Sequence, residues 1–241
     1  MSSPLIVSAV DGCKSGWLIA SAEYLPSLQV PKLEVVTDFA GLCASTAAHA
    51  ITVVDIPIGL PSGNAVRRCD VEAKEILGRV GRNRVFFAPP LETLHAATPR
   101  DFQESHRQVR KKGAGLPVWG ILGKLRDVHA SMTPTLQKRI LEYHPELVWF
   151  ALAGKPLSPK DKEQGRSERF EVLSQFVPDA ESWVRESRRS LRGVQLDDIL
   201  DASIGLELAR RIETNPAGIK RLPTGPPQMD CAGLRMEIWC W

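Results

Sequence analysis

Leu5-Ile6-Val7-Ser8-Ala9-Val10-Asp11-Gly12 is the stretch from which the fold of this 241-residue chain is read. A compact apolar run that stops at Asp-Gly predicts a buried strand followed by a turn. Residues 17–22 then predict a second strand joined to the first as a hairpin, and residues 33–37 alternate enough for a third. Asp38 is placed to cap a helix over residues 39–48, because its side-chain oxygen can accept from the unpaired first-turn N–H groups. Ile51-Thr52-Val53-Val54-Asp55-Ile56 predicts a fourth strand, stopped by Pro57 and the Gly59/Pro61 turn. The order β-β-β-α-β suits a mixed α/β sheet, and a right-handed crossover places strand four beside strand one.

Residues 62–138 carry more charge and helical spacing, and read as a helical insertion in one domain that spans residues 1–241. Thr98-Pro99 opens a helix expected to run through Lys112 and stop at Gly113. A second helix is expected over residues 118–132. Residues 140–150 are read as a fifth strand, with Pro145 at an edge or bulge. Residues 194–213 form the clearest helix, with Ile199, Ala202, Leu206 and Ala209 on one buried stripe. Residues 215–227 read as loop and residues 235–241 as a last edge strand.

Composition sets bounds on function. With 43% hydrophobic and 24% charged residues the chain is an ordinary globular protein. A net charge of +3 permits a nucleic-acid partner without requiring one. The five cysteines, at 13, 43, 69, 231 and 240, are odd in number and lack metal-knuckle or redox spacing, so free thiols in a reducing compartment are expected. No apolar run approaches the ~20 residues of a membrane span, and the run at residues 5–10 lacks a signal peptide's length and basic leader. A cytoplasmic protein, or a nuclear one in a eukaryote, is expected.

Asp11 and Asp55 stand at the C-terminal ends of strands one and four, where open α/β sheets bind ligands. Two carboxylates held close raise each other's pKa unless a cation joins them. Mg²⁺ takes one or two carboxylates and keeps several waters. Asp197-Asp198-Ile199-Leu200-Asp201 adds a third group, with 198 and 201, or 197 and 201, on a common helix face. The plainer alternatives are turn formers for the strand-end acids and dipole partners for the helix acids.

These acids resemble those of the ribonuclease H-like superfamily, and the late Asp-x-x-Asp-Ala is similar to that of bacterial Holliday-junction resolvases. Several tracts resemble, in order, the domain-of-unknown-function 429 family of predicted ribonuclease H-like nucleases. They are residues 10–17 (VDGCKSGW), 55–61 (DIPIGLP), Arg68-Cys69-Asp70 with Leu77-Gly78, Glu142-Tyr143-His144-Pro145-Glu146, and Lys162 with Gly165-Arg166 and Arg169. The chain departs from the family's pattern at Pro117-Val118-Trp119 and at His129. The resemblance implies a sheet of order 3-2-1-4-5 flanked by helices, with an insertion between strands 4 and 5. It also implies phosphodiester cleavage of DNA or RNA with two Mg²⁺ or Mn²⁺ ions.

On that basis Asp11 is the bridging metal ligand, and Asp55, Asp198 and Asp201 are flanking ligands, with Asp197 competing for the last role. Glu142, His144 and Glu146, two residues apart on the expected fifth strand, could face one side. Glu146 then becomes a further catalytic residue as an extra metal ligand, and His144 a proton carrier for the leaving group. Lys14, Lys162, Arg166 and Arg169 are candidate phosphate contacts, and Arg107, Arg110, Lys111 and Lys112 a basic helix end. Two alternatives compete. The Asp11–Gly16 hairpin also looks like the phosphate-facing turn of sugar kinases and actin-like ATPases, though no second such hairpin occurs. A non-catalytic metal- or nucleic-acid-binding protein is the other.

Overall fold

The computed structural model describes residues 5–25, 27, 28 and 30–241. Strand β1 (Leu5–Cys13) turns back at Lys14-Ser15 into β2 (Gly16–Leu25), and the two pair antiparallel from Leu5↔Tyr24 to Cys13↔Gly16. Gly16 has φ +134°, and a Cβ there would strike the Val36 carbonyl, so the tight turn requires glycine. β3 (Lys32–Val36) pairs antiparallel with β2, which also pairs the two residues Ser27–Leu28.

Helix α1 (Phe39–Ser45) follows, its Asp38 cap accepting from Gly41 N–H at 2.7 Å as expected. β4 (Ile51–Val54) lies parallel to β1, and β5 (Ile140–Glu142) lies parallel to β4. The five strands thus take the order 3-2-1-4-5, the ribonuclease H-like arrangement the resemblance implied.

Between β4 and β5 the chain inserts α2 (Arg68–Gly81), α3 (Pro99–Arg110), α4 (Leu116–Gly120) and α5 (Leu122–Ser131). Thr98 and Asp101 cap α3 reciprocally, but the helix ends at Lys111 in the left-handed region rather than at Gly113. The single helix expected over 118–132 is broken at Ile121.

The fifth strand is the main correction. Strand geometry stops at Glu142, and Pro145–Ala153 is a helix, α6. Proline at the first helical position costs no hydrogen bond, since that N–H has no partner inside the helix. His144 caps it, its Nδ1 accepting from Glu146 N–H at 3.2 Å. Glu142, His144 and Glu146 therefore do not share one strand face.

Helices α7 (Glu163–Leu173), α8 (Ala180–Ser190) and α9 (Leu196–Thr214) complete the helical layer. β6 (Lys220–Leu222), inside the expected loop, pairs with β7 (Ile238–Cys240), while Arg235–Met236 pairs separately with Gln228–Met229.

Period-two alternation sorts the sheet residues. Val7, Ala9, Leu18, Ala20, Val53 and Leu141 pack towards α9, while Val10, Trp17, Ile19, Val54 and Ile140 pack towards α1 and α5. α9 is buried nearly all round, because residues of α6, α7 and α8 join the core on its side of the sheet. Among the described residues no helix is long and apolar enough to cross a membrane.

Candidate active site

The parallel register Val10↔Val54 continues one step further, with Asp55 N–H donating to Val10 O at 2.9 Å. Asp11 and Asp55 are therefore lateral neighbours, separated by about one strand spacing of ~4.8 Å. Both follow the odd-numbered residues of their strands, so both point to the α9 side. Tyr143, one step past β5, takes the same face, its N–H donating to Val54 O at 3.1 Å.

α9 is seated against these residues through Gly205, where a Cβ would lie 2.6 Å from Tyr143 Oη and 2.7 Å from Ala9 Cβ. The close approach lets Tyr143 Oη–H donate to Asp201 O at 2.8 Å. Asp201 thus arrives over Asp11 and Asp55, and all three line one cleft of about 430 Å³.

The acids differ in how they are satisfied. Asp11 Oδ1 accepts from Gly12 N–H at 2.7 Å. Asp55 accepts no hydrogen bond and forms no ion pair among the described residues. Burial and then the charge of Asp55, Asp201 and Asp198 push Asp11 well above the usual carboxylate value, with Lys160 pulling the other way. Burial and then Asp201 raise Asp55 well above it too, again against Lys160. Asp201 is held on both sides. Trp149 Nε1–H donates to its Oδ1 at 2.9 Å, and Lys160 Nζ lies 3.2 Å from its Oδ2. Lys160 also lies 3.9 Å from Asp197, and the charge of Asp201 leads in raising the lysine's pKa.

The remaining expected site residues are placed differently. Asp198 Oδ2 accepts from Gln195 N–H at 2.7 Å, so this acid caps its own helix; it reaches the cleft only as a nearby charge. Glu146 faces the cleft, but each oxygen holds a guanidinium at 2.6 Å, Oε2 that of Arg84 and Oε1 that of Arg169. Burial raises its pKa, yet the two arginines outweigh burial and leave it below the ordinary value. His144 lines the cleft with Nδ1 occupied as an acceptor; burial holds its pKa down, which leaves the ring neutral with its proton on Nε2.

Lys14 and Lys162 are exposed and Arg166 half-buried, whereas Arg169 is buried against Trp149. Arg110, expected on a basic helix end, is buried with a terminal N–H bonded to Ala65 O at 2.6 Å.

Sequence reasoning missed Lys160 and Arg84 altogether. Lys160 sits in a turn and Arg84 in a single 3-10 turn, both too short for periodicity to show which side chain turns inward. Asp70, quoted only as part of a motif, and Glu142, read only as sharing a strand face with His144 and Glu146, anchor the wall of the cleft. Arg67, fully buried, lies 2.5 Å from Glu142 Oε1 and 3.2 Å from Asp70 Oδ1, while Ile58 N–H donates to Glu142 Oε2 at 2.7 Å.

Among the described residues, no group of three or more His, Cys, Asp or Glu is gathered at metal-ligand spacing. The chemistry of the adjacent pair nevertheless fits a hard divalent ion. Asp11 and Asp55 are crowded, both are raised in pKa by burial and neighbouring acids, and they keep oxygens without protein partners; Mg²⁺ needs only one or two carboxylates. Asp201 lines the same cleft, with the Lys160 ammonium at its Oδ2.

With that geometry established, the chain can be placed among known proteins. The family described as "Protein of unknown function (DUF429)" matches residues 10–228. The chain belongs to this family. No curated protein matches it. Among solved structures, that of Thermus thermophilus RuvC is similar at 12% identity, covering 87% of this chain and 96% of that one, with a TM-score of 0.34. That likeness is too loose to bear on function.

Proposed function

We propose that this protein is a metal-dependent nuclease that hydrolyses phosphodiester bonds of nucleic acid at the cleft between β1, β4 and α9. One observation carries the reading. Asp11 and Asp55 stand side by side on parallel strands, raised in pKa by burial and by acids around them, and Asp55 has no partner among the described residues. Acids crowded in this way, with a single lysine against them, are costly to ionise unless a further cation binds.

Asp11 and Asp55 would hold Mg²⁺ or Mn²⁺, and Asp201 would add a third carboxylate. Such an ion acidifies water and stabilises charge on phosphoryl oxygens. The chain's own residues do the rest. Tyr143 and Trp149 fix Asp201, one through its carbonyl and the other through Oδ1. Glu146 supports the cleft wall rather than exchange protons, since both its oxygens hold guanidinium groups, and His144 caps α6 through Nδ1. Lys14, Lys162 and Arg166, at the surface, would meet phosphates, and Arg169 would act through Glu146.

The test is a panel of DNA, RNA, hybrid and junction substrates incubated with Mn²⁺ beside Asp11→Ala and Asp55→Ala. Cleavage that needs the metal and falls at least about 100-fold in each folded variant is the expected result. Absence of cutting on every substrate at high protein concentration would overturn the proposal.

A further inference from the structure

We infer that Lys160 is a built-in counter-cation of the acidic cleft, and that a divalent ion must displace it from Asp201 to bind fully. The inference rests on the metal-holding reading of Asp11 and Asp55 given above, and adds a residue that sets how tightly the site is filled.

A lysine with a half-exposed side chain would ordinarily be left to water. Here its ammonium is 3.2 Å from Asp201 Oδ2 and 3.9 Å from Asp197 Oδ2, and its charge also reaches Asp11 and Asp55. Trp149 holds Asp201 Oδ1, so Lys160 places its positive charge on the oxygen that has no other donor among the described residues.

The backbone carrying Lys160 is fixed rather than loose. Arg84 donates to Leu157 O at 2.7 Å and Arg169 to Ser158 O at 3.0 Å. Both arginines are held by Glu146. Ser158 N–H donates to Glu168 at 2.6 Å. Gly165 packs so close that a Cβ would sit 2.6 Å from Ser158 O. Glu146 thus reaches the acids indirectly, through two arginines and a clamped loop.

A single positive charge at this range stabilises the carboxylates while no metal is present and repels an incoming ion. A neighbouring charge within ~4–6 Å shifts proton affinity by about 1–3 pKa units, at least tenfold, and a metal ion at the same oxygens should feel a comparable effect. Removing Lys160 should tighten metal binding even though it deletes a contact.

Calorimetric titration with Mn²⁺ alone, on the full chain, tests this. Lys160→Met is expected to bind about tenfold more tightly than the native protein. Lys160→Arg, which keeps the charge, and Lys155→Met, on the same loop, should bind as the native protein does. Circular dichroism before titration confirms that each variant is folded, and Lys160→Gln substitutes if Lys160→Met is not.

Equal or weaker Mn²⁺ binding by the charge-removed variant would overturn the inference, as would absence of binding by every chain up to millimolar metal. Tightened binding without cleavage of any substrate would uphold Lys160 and overturn the nuclease. Metal-dependent cleavage with no change in affinity would do the reverse.

Discussion

At the scale of single residues the cleft is defined by charge held where charge is unfavourable. Asp11 and Asp55 have folded-state pKa values above their unfolded ones. Groups shifted in that direction give their full stabilisation below the ordinary carboxylate value of about 4, and lose it as pH rises through the raised value. The metal-free protein should therefore lose stability from these acids on going from acid to mildly alkaline solution. Asp11→Asn keeps a side-chain oxygen for Gly12 N–H but cannot ionise. In chelator at pH 8 it should be more stable than the native chain by on the order of 1 kcal/mol, and the gap should close towards pH 4. Calorimetric melting across that range is the check, and a constant or inverted difference would show that the two acids are not crowded. The same substitution should abolish Mn²⁺-dependent cleavage, so stability and activity move in opposite directions.

At the scale of elements, α9 and the loop before α7 are the pieces that build the site. Gly205→Val would force α9 off Tyr143 and Ala9, displacing Asp201 together with the helix. Overpacking of this sort costs about 1–3 kcal/mol, read by denaturant unfolding, and should weaken Mn²⁺ binding as well. Glu146→Gln separates the two readings of Glu146. If it anchors Arg84 and Arg169, the variant should lose on the order of 3 kcal/mol, the cost of leaving buried charge unpaired, while Asp11 and Asp55 still bind Mn²⁺. Complete loss of Mn²⁺ binding in a folded variant would instead make Glu146 a ligand.

The elements also show where the sequence could be read. β1, β2, β3 and β4 were legible because apolar runs end at Asp-Gly, Pro and Gly signals, and α1 and α3 because Asp38 and Thr98 cap them. The tract at 140–150 was not. Leu147-Val148-Trp149-Phe150 is apolar without a period, and Pro145 serves a strand edge or a helix start equally well. Asp11, Asp55 and Asp201 followed from strand ends and helix spacing. Asp198 looked the same in sequence, yet capping its own helix turned it aside. Lys160 left no signal, because Ser158-Pro159-Lys160-Asp161-Lys162 gives two lysines and nothing to choose between them.

At the scale of the molecule the net charge is only +3, too small for the whole protein to draw in a polyanion strongly. Binding of nucleic acid must then depend on where the cations stand, around a cleft that is itself acidic. Lys14 stands at the tip of the hairpin that begins at Asp11, docked by its N–H on Gly193 O at 3.0 Å. Lys162 ends the loop that carries Lys160 and Arg166 lies on α7, so the three cations come from two segments, one just after Asp11 and one before Asp201. If they contact phosphates, log Kd should depend on log salt with a modest slope, because each contact contributes only about 0.7–0.9. Lys14→Ala, Lys162→Ala and Arg166→Ala should each lower that slope by roughly this amount and weaken all sequences alike. Fluorescence anisotropy across a salt series, in the cleavage-dead Asp55→Asn background, gives the slopes. Unchanged slopes in all three would move the nucleic-acid path elsewhere on the surface. An effect confined to Lys14 would run the path along the hairpin and α8, where Arg188, Arg189 and Arg192 precede Gly193.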